Sequence, residues 1–408
     1  MSRPIHRKGR PGDLGGNGSA HPGRNWQAGF LLGSAIGAAA TVVGRRAERV
    51  VRRGIVDWPG AERIAIDRLR KAPGTLSPTE LRASEAAYAA AMVRVVPRLA
   101  EALGTELPGV VGRVAVVDRA TWVRANTASF AAILGRLEGG LLEELLPVGG
   151  GLGQAAVALA QRWVMTRQIG LLLGFLATRV LGQYDLALLS AETVPGRLLF
   201  VEENIRLTAR TLDVPLDAFR TWIALHETTH AFEFEAHPWL RPYLADRLER
   251  QLAAFSGGAR ELAPGMLQRL GRVLRGERSE GHWMERLMTD QQRRLFRETQ
   301  ALMSLLEGFS DYIMDEVGRD LVPGVEQISA RFHARRQQPR TGLERAIMRL
   351  TGLDLKLEQY RAGATFVAAL AARGGPAGLE ALWTGPEALP RAGEIEDPDR
   401  WWRRVMVG

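Results

Sequence analysis

The chain has 408 residues and not one cysteine. That excludes disulfides, thiolate metal sites, iron–sulfur clusters and cysteine nucleophiles. It also fits a reducing compartment. Lysine is nearly missing: Lys8, Lys71 and Lys356 stand among 54 basic residues. Histidine is scarce as well, with seven in the chain, so any imidazole site must draw on few residues. What is present is globular in kind, 46% hydrophobic and 24% charged, which excludes a collagenous, wholly disordered or wholly membrane-embedded chain. The length suits one large domain or two ordinary ones, each able to bury a core.

The formal net charge of +9 invites a nucleic-acid reading, but it is unevenly spread. Residues 1–53 hold ten basic groups against Asp13 and Glu48, which is +8. Residues 54–408 hold 44 basic and 43 acidic groups. A folded nucleic-acid binder needs a basic face on the folded body, and the near-neutral body gives none. No nucleic-acid partner is expected.

Residues 1–27 are rich in Gly, Pro and Arg and read as a disordered basic arm. Residues 28–53 read as an apolar helix with an Arg-rich flank. Its first part, AGFLLGSAIGAAATVV over residues 28–43, has sixteen residues without a charge. A membrane span needs about 20 apolar residues. Three readings stay open: a membrane anchor, a signal peptide, and a helix packed on the body. Gly29, Gly33 and Gly37 recur at four-residue spacing, which lets another helix approach closely. A cytoplasmic protein follows, with a tether to the inner face of the membrane through residues 28–53 as the alternative.

Residues 54–408 read as one domain. Ala61–Arg70, Pro78–Leu103, Ala120–Leu134 and Gln154–Leu181 carry helical spacing, the second opening on a Ser77 N-cap with Pro78. Gly170 and Gly174 suit close helix packing. Gly149–Gly153 lacks a preceding strand and a P-loop lysine, so it reads as a connector and not a phosphate cradle. Arg113–Val117 and Arg197–Glu202 read as strands. Residues 257–281 read as a surface insertion and 383–402 as an ordered, irregular wrap. The fold class expected is mainly α with a small β-sheet, α+β.

The chemistry lies in Thr221–Glu235, TWIALHETTHAFEFE, which contains His226-Glu227-Thr228-Thr229-His230. Positions i and i+4 share a helix face, so both imidazoles can reach one ion. Zinc accepts imidazole nitrogen, and Glu227, about 100° around the helix, can address a bound water without being a ligand. The expected chance count of H-E-x-x-H here is on the order of 0.01. A catalytic zinc normally takes a third protein ligand. His237 is one residue too late for the metzincin spacing and reads as a helix-end residue. Glu307 is the better candidate, an acidic residue between Leu305, Leu306 and Phe309 on a second apolar helix over Met303–Val317. Asp311, one turn on, could accept the other N–H of a ligand histidine.

These residues also carry a resemblance. HETTH and LLEGFSDYIMD, from Leu305, are its specific parts. VVDRATWVRANTASF from Val116, GQYD from Gly182, GRLLFVEENI from Gly196, PWLR from Pro238 and ALWTGPEALP from Ala381 are softer. Over roughly residues 55–405 the chain resembles zincin-like bacterial metallopeptidases, a metal-dependent hydrolase family associated by name with deazaflavin-coenzyme biosynthesis. The resemblance implies a zincin-like fold with HExxH on the active-site helix. It implies zinc held by His226, His230 and Glu307, with Glu227 as catalytic acid/base.

The function expected is a zinc-dependent hydrolase acting on a peptide or protein substrate. The alternative from another class is a non-catalytic zinc-binding or membrane-tethered scaffold. Leu198–Val201 is the candidate edge strand for an extended peptide. Tyr312, His237, Tyr360 and His333 are all candidates for the oxyanion donor, and sequence does not rank them.

Overall fold

The computed structural model describes residues 54–145, 152–185, 196–257, 288–337, 353–391 and 393–407. The arm over 1–53, most of the Gly149–Gly153 connector and the 257–281 insertion beyond Gly257 lie outside the described residues. So do the anchor and signal-peptide readings. Among the described residues no helix is long and apolar enough to cross a membrane.

In chain order the elements are α1 (Trp58–Leu69), α2 (Pro78–Leu103), β1 (Val114–Val117), α3 (Arg119–Leu145), α4 (Leu152–Ala177), β2 (Gly182–Asp185) and β3 (Arg197–Val201). Then follow α5 (Glu202–Leu212), α6 (Leu216–Ala236), α7 (Leu240–Gly257), α8 (Asp290–Leu321), α9 (Val325–Gln337), α10 (Leu353–Glu380) and the short α11 (Pro398–Trp402). The architecture is α+β, mainly helical, as expected. Helix starts obey local rules. Ser77 and Glu80 close a capping box on α2, and Thr289 and Gln292 close one on α8. Helix α2 stops at Gly104, whose φ of 63° is a left-handed cap.

Among the described residues the sheet has three strands in the order β1-β3-β2. β3 runs parallel to β1, with Val114 opposite Leu198, and antiparallel to β2, with Gly182 opposite Phe200. This corrects the edge-strand assignment. Leu198–Val201 is the central strand, and both its hydrogen-bonding edges are already used. β2 forms an edge, and its sequence GQYD carries none of the β-branched pattern that marks a strand.

Side-chain alternation along β3 divides the interior into two layers. Leu198 and Phe200 join the larger core with Tyr88, Phe219, Phe232, Leu305, Phe309 and Phe366. Leu199 and Val201 face a smaller core with Ala65, Leu69, Trp122, Val123 and Leu173. Gly170 and Gly174 do serve close packing: a Cβ on Gly170 would lie 2.7 Å from the Ala61 carbonyl. In the 383–402 tail, Trp401 is fully buried and its indole donates to the Ala388 carbonyl at 2.6 Å.

The tightest crossing is between α8 and α10. A Cβ on Gly308 would lie 2.2 Å from the Gly363 carbonyl carbon, and one on Gly363 would lie 1.9 Å from the Ser304 carbonyl oxygen. Both obstacles are backbone, so neither can swing aside. Overpacking of this kind costs about 1–3 kcal/mol. Gly363→Ala is therefore expected to lower unfolding free energy by that amount, read as a shift of the urea midpoint with unchanged slope. A variant as stable as wild type would show that the crossing relaxes freely.

Candidate metal centre

Helix α6 carries HETTH, and each of its ends is held by a buried or half-buried charge pair. Near its start, Arg220 donates to Glu202, a carboxylate with no exposure, which also accepts from Tyr88 Oη at 2.9 Å and Ser84 Oγ at 3.1 Å. At its end, Glu235 accepts both arms of the Arg113 fork, at 2.5 and 2.9 Å, and the Tyr184 hydroxyl at 2.8 Å. The helix is thereby fixed against α2 and α5 at one end and against β1 and β2 at the other. Bidentate pairs of this kind set orientation as well as distance.

The site forms where α6 faces α8. One ligand atom each from His226, His230 and Glu307 lies within 4.8 Å of the other two. His226 Nε2 is 3.9 Å from Glu307 Oε2. The two imidazole rings stand edge to face, 4.7 Å apart. Their other nitrogens are turned away. His226 Nδ1 lies 3.0 Å from Met314 Sδ. His230 Nδ1 lies 2.7 Å from Glu233 Oε2 and 3.2 Å from Ser310 Oγ. The Nε2 atoms are left to face the cluster. Two imidazoles and a carboxylate, partly sheltered and convergent, suit one divalent ion with a further position open.

Glu227 is buried beside them, on the β2 side. A Cβ on Gly182 would lie 2.5 Å from Glu227 Oε1, so glycine at this strand position leaves the carboxylate its seat. Glu227 also accepts the backbone N–H of Tyr184. Burial, with Glu307 nearby, raises its pKa to about 7, against the pull of His230.

Glu233 was not singled out in the sequence. It is 1% exposed, with Oε1 lacking a hydrogen-bond partner. Burial first, and then Glu307, raise its pKa to about 7, while His230 and Ser310 pull it down. For His230, burial lowers the pKa, but Glu233, Glu307 and Glu227 outweigh it and raise the value to about 10. The signal for Glu233 was an acidic residue wedged between Phe232 and Phe234, three positions after His230.

Asp311 lies one turn after Glu307 on α8 and is half-buried. His237 caps α6, its Nδ1 at 2.8 Å from the Glu233 carbonyl and its ring stacked on Trp383 at 4.9 Å. Tyr312 and His333 are half-buried on α8 and α9. The side chain of Tyr360 is not among those described.

A helix-borne pair of histidines, a carboxylate from a second helix and a buried glutamate at their side make up the site of a metal-dependent hydrolase. The comparisons agree. The profile of a family described as zincin-like metallopeptidase matches residues 56–402. A crystal structure from Chloroflexus aurantiacus, described as "a putative hydrolase with a novel fold", is similar at 36% identity and a TM-score of 0.62. That match covers 85% of this chain and 97% of the other. No curated protein matches. The chain belongs to the zincin-like metallopeptidase family. Neither comparison mentions deazaflavin coenzymes.

The crowded carboxylates give a pH signature in metal-free protein. Glu227 and Glu233 have folded values of about 7 against an ordinary 4.5. Folded protein then holds extra protons between those values, and their stabilising contribution is lost as pH rises through about 7. His230 acts in the same sense: its contribution is full below 6.5 and lost as pH rises through about 10. In chelator, wild type is expected to lose more stability from pH 5 to 8 than Glu227→Gln, measured by urea titration. An equal or larger loss in the variant would refute burial of ionised Glu227 as the cause.

Proposed function

We propose that the protein is a zinc-dependent peptidase in which His226, His230 and Glu307 hold the ion and Glu227 is the general base. The observation that carries this reading is the convergence of those three ligand atoms beside the buried Glu227. Zinc bound there would supply Lewis acidity, polarising a substrate carbonyl and making a water acidic near neutral pH.

The residues of the chain do the rest. Glu227 takes the proton from the water and later delivers it to the leaving amine. Glu233 and Ser310 hold the His230 ring by its Nδ1, which keeps Nε2 free for the ion. Asp311 is assigned to the same supporting role for the ligand set. The strand that would hold an extended peptide is β2 and not β3, because among the described residues β2 lies at the edge of the sheet and it approaches Glu227 through Gly182. Main-chain hydrogen bonds along such an edge give grip without demanding a particular side chain.

Glu227→Gln is expected to lower peptide turnover by about 10²–10⁴-fold, the usual worth of a positioned acid/base, while zinc content stays at wild-type level. Glu307→Ala should lose zinc on dialysis. Asp311→Asn should weaken zinc binding by about 10–100-fold. Full peptide turnover in Glu227→Gln with zinc bound would overturn the mechanism, and tight zinc binding by Glu307→Ala would overturn the ligand set.

A further inference from the structure

Helices α6 and α8 run antiparallel at the site and in step, turn for turn. His226 of α6 lies against Met314 of α8. His230, one turn on, lies against Ser310, one turn back. The register continues past the site, where a Cβ on Gly318 would lie 3.6 Å from Leu225 Cδ2. On α8, Glu307, Ser310 and Met314 stand at i, i+3 and i+7, which is one face of a helix. That face supplies the carboxylate of the cluster and one further contact to each histidine.

The two histidines are supported by unlike groups. His230 Nδ1 meets Glu233 Oε2 at 2.7 Å and the Ser310 hydroxyl at 3.2 Å. His226 Nδ1 meets the thioether of Met314 at 3.0 Å. A methionine in a core is ordinarily a flexible filler. Met314 differs in where its sulfur sits. It is 2% exposed, and its Sδ lies at the ring nitrogen opposite the one that approaches Glu307. At 3.0 Å two lone pairs would repel, so the nitrogen presents its hydrogen and the sulfur accepts it. A neutral imidazole carries one N–H, so a proton on Nδ1 leaves the Nε2 lone pair for an ion.

We propose that Met314 is the positioning residue for His226: its thioether holds the Nδ1–H and thereby keeps Nε2 turned toward Glu307 and His230. The inference rests on the ligand set proposed above. It also makes the two histidines unequal. A thioether is a weak acceptor, whereas a carboxylate partner raises the basicity of a ligand imidazole. His230, backed by Glu233, is then the stronger donor to the ion, and His226 the weaker one.

Cobalt(II) in place of zinc reads the two rings separately, because each ligand-ring N–H beside the paramagnetic ion gives its own strongly shifted proton signal. Two such signals are expected in the full chain. Glu233→Gln assigns them, since it should move that of His230 alone. In wild type the His226 proton should already exchange with solvent faster than that of His230. Met314→Leu removes the sulfur and nearly conserves volume. In that variant the His226 proton should exchange, and the metal should dissociate into chelator, about tenfold faster, with the His230 signal unchanged. Its urea midpoint without metal should stay near wild type, which separates this effect from a loss of fold. Met314→Gln, of equal length and with an oxygen acceptor, should return both rates to the wild-type level or below.

Two signals that both ignore Met314→Leu, with metal lost at the wild-type rate, would overturn the proposal and leave the ligand set standing. So would a Gln variant no better than the Leu variant, because Met314 would then act by packing alone. Slower exchange at His226 than at His230 in wild type would overturn the unequal support. Cobalt bound with fewer than two shifted N–H signals would refute the two-histidine ligand set, and the proposal with it.

Discussion

Three carboxylates and two imidazoles meet where α6 faces α8, and the rest of the fold is arranged around that crowding. Glu227 and Glu233 sit in a site largely sealed from water, where charge is costly, and Glu307 repels both. In metal-free protein, burial and then Glu307 make Glu227 and Glu233 hold protons more tightly than usual, and the three carboxylates do the same for His230. A divalent cation held by His226, His230 and Glu307 would offset that repulsion. The site is poised so that its least comfortable state is the empty, deprotonated one.

Holding such a cluster requires that α6 neither rotate nor slide. The two charge pairs supply this. Arg220 and Glu202 fix the first turns, and Arg113 and Glu235 fix the last. β2 takes part twice, since Tyr184 gives its hydroxyl to Glu235 and its backbone N–H to Glu227. One short strand thus locates both the end of the helix and the carboxylate proposed as the base. On the opposite side, the Gly308–Gly363 crossing seats α8 and so sets the depth of Glu307, the next residue along.

What was legible in the sequence follows the range of each interaction. HETTH was readable because its geometry is local, five residues on one helix. Glu307 was readable although distant, because an acidic residue between Leu305, Leu306 and Phe309 must have a reason to be buried. Glu233 sent the same signal from between two phenylalanines. Strand pairing was the least legible feature, because nothing local encodes a neighbour. Even so, the unbroken apolar run Leu198–Val201 was a clue. A strand buried on both faces sits in the middle of a sheet, whereas an edge strand tends to alternate or carry charge.

Sheet order then constrains where an extended substrate can lie. β3 is closed on both sides, so among the described residues the outer edges of β1 and β2 remain. Of these, β2 is the one whose backbone reaches Glu227. Its Gly182 has no side chain to stand between the strand and the carboxylate, and its Tyr184 N–H already points there. A chain laid along β2 would bring its carbonyls past the base at the spacing of a β-ladder, with no recognition of side chains needed for register. Specificity would then have to come from the walls of the cleft, beginning with the His237–Trp383 stack at the end of α6, and not from the strand itself.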